Sequence, residues 1–202
     1  MASTWIRRDF ASPGLTQHPV GAHLSALQDR LSGSVVLCLD VSSSMSGSRI
    51  GQAVKGALRF VDEATEASYQ VGVVLWNQAV ASSVSVGAGS KDVKARLKSA
   101  SPNGGTNVVP ALKKAEGMLE SRTGDLVVAV FGDGDLGDRA GAMAQAAKMR
   151  AKNIRIITCG LDGSSAESLD EISTEDRDRP RSAGGEDVAD AVAGLASGLR
   201  RR

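Results

Sequence analysis

The sequence predicts an α/β domain with a doubly wound, mostly parallel β-sheet, one antiparallel edge strand and helices on both faces. Four continuous apolar runs support this prediction, because runs rich in Val and Ile that are bounded by Gly, Asp or Ser are typical of parallel strands buried on both faces. The runs cover residues 34–40, 69–76, 125–131 and 153–160. Segments with helical periodicity separate them, and this alternation indicates a parallel sheet covered by helices.

The antiparallel edge strand is predicted at residues 79–86, AVASSVSV, which follow the strand at 69–76 after almost no gap. Parallel neighbours require a crossover of about a dozen residues or more, so this strand must return as a hairpin. In doubly wound folds, ligands bind at the carboxyl ends of the parallel strands. We therefore look for functional residues in the loops at that edge of the sheet.

Helices are predicted where apolar residues recur every three or four positions. In the first such segment the series begins at Ile50 and continues through Val54 and Ala57 to Val61, which places these side chains on one face. Each of these faces is expected to pack on the sheet. The four predicted helices lie at 50–61, 111–119, 139–152 and 186–199.

The composition limits the classes of partner. The chain has 202 residues, which suits one domain, and its 24 basic and 23 acidic residues leave a net charge of +1. No global field would draw the protein to nucleic acid or to an anionic membrane. The first residues, MASTWIRRDF, lack the apolar stretch of a secretory signal, and no apolar run approaches the roughly 20 residues of a spanning helix. We therefore expect a cytoplasmic protein that binds neither nucleic acid nor membrane.

The cysteines and histidines exclude two kinds of site from the main domain. Cys38 and Cys159 each lie inside an apolar run without His neighbours, which predicts buried free thiols. Both histidines, His18 and His23, lie in the N-terminal segment. The rest of the chain therefore lacks the imidazole that a Ser-His-Asp triad or a His-ligated zinc site requires.

Two segments do not follow the strand–helix alternation. Residues 1–32 are predicted to be an N-terminal extension of the domain at 33–202, and their short amphipathic part, 23–31, is expected to pack against the domain, with disorder as the alternative. The charged segment 175–187 has little apolar content and predicts a surface loop, with a short strand at 181–183.

Oxygen-bearing side chains gather at the predicted ligand-binding edge. The first central strand ends in Asp40, and Ser42 and Ser44 follow it, so that three oxygen donors can converge above the sheet. Thr106 comes from a Gly-rich loop just before a helix, where glycine allows close approach of the backbone. Asp133 follows a later central strand and has Gly on both sides. These five residues are the candidate site.

The donor types indicate which ligand such a site would take. Two carboxylates and three hydroxyls are hard oxygen donors, which suit Mg²⁺, Mn²⁺ or Ca²⁺ rather than zinc or copper. Of these cations we expect Mg²⁺. Because hydroxyls are neutral ligands, the protein supplies only two negative charges. A cation held in this way would favour an additional carboxylate from another molecule.

The five-residue set resembles the metal-ion-dependent adhesion site of the von Willebrand factor A (VWA) family. Asp40, Ser42 and Ser44 match the D-x-S-x-S element of that site. Thr106 matches its separate threonine, and Asp133 matches its second aspartate, which is usually followed by Gly, as it is here. All five positions are filled in the order that the family shows, so the chain is identified as resembling a member with an intact site.

The resemblance covers about residues 33–200 and implies a small stand-alone VWA domain of the bacterial type. It implies that the serines and the threonine bind the divalent cation directly or nearly so, that the aspartates often act through water, and that a Glu or Asp of a protein partner completes the shell. Similar intracellular members commonly work beside AAA+ ATPases or in multi-protein assemblies. The expected function is therefore that of a binding adaptor and not of an enzyme. In larger members the last helix moves on binding, which would concern the helix at 186–199.

Three alternatives stay open from the residues alone. The hydroxyl of Ser42, Ser44 or Ser46, and likewise that of Thr106, could cap a helix, with Asp133 as a turn residue. The same side chains could hold the loops together as a metal-free scaffold. A phosphatase of the haloacid dehalogenase type would use Asp40 as its nucleophile, but this chemistry needs a second carboxylate two residues later, where Ser42 stands.

Overall fold

The computed structural model describes residues 33–175, 182 and 188–200, which form a five-stranded sheet and its covering helices. The strands are β1 (Gly33–Asp40), β2 (Tyr69–Trp76), β3 (Val80–Val84), β4 (Asp125–Gly132) and β5 (Ile154–Gly160). The helices are α1 (Ser48–Glu66), α2 (Ser90–Lys98), α3 (Val109–Leu119), α4 (Arg139–Ala151), α5 (Gly163–Asp170) and α6 (Val188–Gly194), and a 3-10 segment (Leu195–Arg200) follows α6.

The sheet has the strand order β3-β2-β1-β4-β5. All neighbours are parallel except β3, which pairs antiparallel with β2 at the edge. The predicted fold class is therefore confirmed, although β3 is shorter than the predicted strand at 79–86. β1 lies at the centre, where Asp40 pairs with Trp76 of β2 and Leu39 pairs with Phe131 of β4. The carboxyl ends of these three strands therefore meet at one edge.

Helices cover both faces of the sheet because alternate strand residues point to opposite sides. On one face Phe60 of α1, Leu97 of α2 and Val192 of α6 pack with Leu37 of β1. On the other face the buried side chains of α3, α4 and α5 pack with Cys38 of β1. All eight residues of β1 are buried, which explains why residues 35–39 form a continuous apolar run instead of an alternating pattern.

The four predicted helices correspond to α1, α3, α4 and α6 with its 3-10 extension, while residues 186–187 lie outside the described part of the chain. The sequence analysis missed α2 and α5. Both are short and bury few large apolar side chains: Val93 and Leu97 in α2, and Leu169 in α5. So short an apolar series does not stand out in the sequence, and contacts with the sheet stabilise these helices.

The predictions for residues 1–32 lie wholly outside the described residues, and those for 175–187 lie mostly outside them. Within the latter segment Ser182 forms a parallel bridge with Gly160, at the centre of the strand predicted at 181–183. Cys38 and Cys159 are buried and form no disulfide, as predicted, and burial raises the pKa of Cys38 to about 12. In the part of the chain that the structure describes, no helix is long and apolar enough to span a bilayer.

Candidate functional site

The loop after β1 brings three of the candidate residues together. The main-chain N–H of Ser42 donates to Asp40 Oδ1 at 2.7 Å, and this bond turns the chain sharply at the end of the strand. A 3-10 turn (Ser43–Met45) follows, and it sets the Ser42 and Ser44 hydroxyl oxygens 2.9 Å apart. Asp40 and Ser42 are buried, whereas Ser44 is exposed. The oxygen atoms therefore lead from the sheet interior to the surface.

Asp133 joins this group from the loop after β4. The Ser44 hydroxyl donates to Asp133 Oδ2, which links two residues that lie 89 positions apart in the sequence. The Asp133 carbonyl in turn accepts a hydrogen bond of 2.6 Å from the Ser165 hydroxyl of α5. Gly134 has φ +94°, and a Cβ there would lie 2.4 Å from the Ser165 Cα. Glycine is therefore required for the loop to approach α5 this closely.

Thr106 lies in a loop that main-chain hydrogen bonds hold against the same edge. Gly104 O accepts bonds from the N–H and the hydroxyl of Ser43, at 3.1 and 2.9 Å. The Asn103 N–H donates to Val41 O at 2.8 Å. Within the described residues no hydrogen bond joins the Thr106 side chain to the other four candidates. The structure thus brings Asp40, Ser42, Ser44 and Asp133 into one chain of hydrogen bonds and sets the Thr106 loop beside them.

Asn77 has a positioning role that the sequence analysis did not assign. This buried residue follows β2, and its side-chain Nδ2 donates to Asn103 Oδ1 at 2.7 Å and to Asn103 O at 3.0 Å. Its carbonyl accepts the N–H of Asn107 at 2.8 Å. Asn77 therefore fastens the loop on both sides of Thr106. The available signal was its position directly after a buried strand at the ligand-binding edge.

The electrostatic state of Asp40 reflects its burial at the end of β1. Its side chain is fully buried, and burial is the main reason why its pKa is raised to about 6. Hydrogen bonds from the main chain and the hydroxyl of Ser42 lower the pKa, the negative charge of Asp133 raises it, and the N–H of Asp133 lowers it slightly. Asp40 Oδ2 has no hydrogen-bond partner among the described residues. A buried carboxylate in this state would be stabilised by a nearby positive charge.

The donor set fits a hard divalent cation. Among the described residues no three His, Cys, Asp or Glu side chains form a possible metal site, so a cation here would depend on two carboxylates together with hydroxyls. The Asp40 carboxylate and the adjacent Ser42, Ser44 and Asp133 oxygens supply such donors at one edge. These ligand types match Mg²⁺, Mn²⁺ and Ca²⁺.

The helix-cap interpretation of the hydroxyls is wrong. The N-cap of α1 is Gly47, and no side chain caps either this helix or the 3-10 turn before it. Near α3, it is the Asn107 side chain that accepts the N–H of Val109, at 3.0 Å, and not that of Thr106. Capping therefore does not explain Ser42, Ser44 or Thr106. Asp133 does accept a weak local bond of 3.3 Å from the N–H of Asp135, in addition to its contact with Ser44.

Comparison with known families identifies the domain. The model of the von Willebrand factor type A domain matches residues 34–184, well over half of the chain. The chain belongs to this family. The match includes all five candidate site residues and, apart from Gly33, every residue of the five strands. No curated protein matches the VWA chain by sequence.

Solved structures agree with the VWA fold. The von Willebrand factor domain of the type V pili tip protein Mfa5 from Porphyromonas gingivalis superimposes with a TM-score of 0.71 at 15% identity, covering 86% of this chain and 97% of that one. The manganese-loaded TRAP protein of Plasmodium vivax gives 0.66 at 15% identity, with 82% and 72% covered. The pilus adhesin SpaC from Lactobacillus rhamnosus GG gives a TM-score of 0.67 at 15% identity. This match covers 83% of the present chain but only 29% of SpaC.

Proposed function

We propose that this VWA domain holds one divalent cation and through it binds an acidic residue of a protein partner. Of the hard cations we expect Mg²⁺ in preference to Mn²⁺ or Ca²⁺. Ser42, Ser44 and Thr106 would hold the cation, while Asp40 and Asp133 would bind it or orient its waters. The observation that carries the proposal is the contact between Ser44 and Asp133, because it joins two distant loops through the side chains that the family motif specifies. VWA domains often serve as protein-interaction or adhesion modules, and one structural relative is described as manganese-loaded.

The charge distribution supports a cation at this edge. The negative charge of Asp133 disfavours the charged form of the buried Asp40 carboxyl group. A divalent cation would offset this repulsion and the cost of burying Asp40. It would supply Lewis acidity, and the two protein carboxylates would leave it able to attract a third one. The exposed position of Ser44 leaves this side of the site open to a partner.

Two alternatives are weighed against the same residues. A metal-free scaffold would use the bonds among Ser42, Ser44 and Asp133 only to join the loops, and it predicts no response to cations. A phosphatase of the haloacid dehalogenase type is disfavoured because Asp40, its nucleophile, is fully buried and accepts a hydrogen bond from the N–H of Ser42. We therefore propose a binding module that is not an enzyme. Phosphate release from an aryl phosphate with Mg²⁺ that Asp40→Asn abolishes would contradict this proposal.

Thermal melting with and without cation tests the metal site. A cation that binds the folded state raises the melting temperature above that in EDTA, in proportion to RT ln(1 + [L]/Kd). The rise should disappear in Ser44→Ala and Asp133→Asn. It should persist in the matched controls Ser46→Ala and Asp135→Asn, which alter exposed residues of the same two loops. No rise in the wild-type protein at millimolar Mg²⁺ or Mn²⁺ would favour the scaffold.

The partner is tested separately. Capture of interacting proteins by the wild-type domain and by Asp40→Ala is compared with and without chelator, and only the wild type with cation should retain a partner. Equal capture in all four conditions would count against cation-mediated binding. We infer from the family resemblance that the domain is a small bacterial-type adaptor in a multi-protein assembly, in which an AAA+ ATPase is one candidate. The cytoplasm remains the proposed location; recovery from the cell envelope or the medium would refute it.

A further inference from the structure

Two buried polar atoms have no hydrogen-bond partner in the described part of the chain, and both lie beneath the candidate site. They are Asp40 Oδ2 and the indole Nε1 of Trp76, and both side chains are fully buried. Asp40 and Trp76 are register partners at the ends of the adjacent strands β1 and β2. One acceptor and one donor on neighbouring strands thus lack a partner at the same edge of the sheet.

Gly132, the last residue of β4, shows where the two side chains meet. A Cβ on Gly132 would lie 3.1 Å from Asp40 Oδ2 and 3.4 Å from Trp76 Cζ2. Because β2 and β4 lie on opposite sides of β1, the indole of Trp76 must extend across β1 to come this close. It thereby covers the Asp40 carboxyl group.

The nitrogen of the indole lies on the side of the ring that faces this group. Cζ2 and Nε1 are both bonded to the same ring atom, Cε2, so the ring edge near Gly132 is the edge that carries the N–H. The N–H edge of Trp76 and the unpartnered oxygen of Asp40 therefore both lie close to Gly132, beneath the site.

Leaving both atoms without a partner would be costly. A buried donor or acceptor that loses its hydrogen bond is destabilising, and such atoms in native proteins usually contact an ordered water. One water can satisfy both, since it accepts from an N–H while donating to a carboxylate, and buried waters typically have two to four polar partners.

We propose that one buried water bridges Trp76 Nε1 and Asp40 Oδ2, and that Trp76 is a positioning residue for the candidate site. The indole shields the Asp40 carboxyl from bulk solvent, and the water fixes the direction of its inner oxygen. Trp76 acts through Asp40 and touches no ligand itself. The bridge exists in the cation-free protein; only its effect on cation binding rests on the proposed function.

The bridge is tested by NMR of the full chain, labelled with ¹⁵N at tryptophan and kept in EDTA. Trp5 is the other tryptophan of the sequence, so Trp5→Phe leaves the indole resonance of Trp76 alone. This N–H proton should show a cross-peak to water whose NOE and ROE have opposite signs, as a long-lived water gives. The absence of this cross-peak, in a protein whose spectrum shows it to be folded, would overturn the proposal.

A second measurement tests the positioning role and separates it from the proposed function. Trp76→Phe keeps an aromatic ring over Asp40 but removes the donor. It should weaken Mg²⁺ binding by about 10-fold or more, as the loss of an outer partner of a metal ligand typically does. Mg²⁺ should also move the Trp76 indole resonance in the Trp5→Phe protein. If Mg²⁺ stabilises the wild type yet neither effect occurs, the positioning role fails while the proposed function stands. If no cation binds but the water cross-peak is present, the proposed function fails and the bridge stands.

Discussion

Replacement of Gly56 by alanine should loosen the packing of α6 on α1. A Cβ at Gly56 would lie 2.4 Å from the carbonyl oxygen and 2.8 Å from the Cα of Ala189. It would also lie 2.8 Å from the Cβ of Val192. Two of these three atoms belong to the main chain, so a side-chain rotation cannot relieve the overlap. The whole of α6 must shift away from α1.

The magnitude follows from two opposing effects. Overpacking of a well-packed interior costs about 1–3 kcal/mol. Alanine in place of glycine inside a helix stabilises it by up to about 1 kcal/mol. Gly51 provides a matched control, because it lies in the same helix and a Cβ there would meet no atom within 4 Å. The propensity gain is shared, so the difference between the two variants gives the overpacking cost alone.

Urea unfolding in EDTA, followed by circular dichroism, measures this difference. We expect the free energy of unfolding to rise for Gly51→Ala and to fall for Gly56→Ala, with about 1–3 kcal/mol between them. A difference below about 0.5 kcal/mol, within the usual range of surface substitutions, would refute the close packing of α6 against Gly56.

Three further predictions concern the site. In EDTA the free energy of unfolding should fall by about 3 kcal/mol as pH rises from about 4 to above 6. Burial raises the folded-state pKa of Asp40 from 3.8 to about 6. The folded state therefore favours the protonated carboxyl group, and this contribution to stability is lost as the group ionises. Asp40→Asn should lack this dependence, Asp138→Asn should keep it, and equal pH profiles of wild type and Asp40→Asn would contradict it. Asn77→Ala should lower the free energy of unfolding by about 1–3 kcal/mol, because two hydrogen bonds to Asn103 and one from the Ala79 N–H are lost. The control Gln78→Ala removes only one long hydrogen bond of 3.3 Å from Gly105 and should cost under about 0.5 kcal/mol in the same urea experiment. Equal losses in the two variants would count against the role of Asn77. Ser165→Ala should lower the free energy of unfolding by about 1 kcal/mol and weaken Mg²⁺ binding in calorimetry, because the Asp133 loop loses its hydrogen bond to α5. The control Ser164→Ala, which alters an exposed residue, should leave Mg²⁺ binding unchanged. Unaltered affinity in Ser165→Ala would show that this bond does not position Asp133.

The central strands and their parallel arrangement could be predicted because burial on both faces leaves a strong pattern in the sequence. β1 is buried at every position, and its continuous apolar run identified it. The antiparallel pairing of β3 with β2 could also be predicted, because the connection between these two strands is too short for a parallel crossover. By contrast, α2 depends on the two buried residues Val93 and Leu97, and so weak a pattern is indistinguishable from that of a loop.

The candidate site residues could be chosen from their places at strand ends, but their supports could not. The contact between Ser44 and Asp133 follows from the neighbouring positions of β1 and β4. The roles of Asn77 and Trp76 depend instead on which way their side chains turn across neighbouring strands and loops. Sequence spacing contains no information about that direction, so both were recognised only from the assembled fold.

The loop at 101–108 differs from the rest of the site in how it is held. Asp40 is the last residue of β1 and Asp133 directly follows β4, so hydrogen bonds of these strands with the sheet must break before either residue can move far. The loop carrying Thr106 belongs to no strand, and local opening of such a segment costs less free energy than global unfolding. Local opening of this loop would therefore displace Thr106 and leave both aspartates in place. The exchange rates of the Asn103 and Asn107 amide protons, which bond across to neighbouring loops, therefore report how often this side of the site opens.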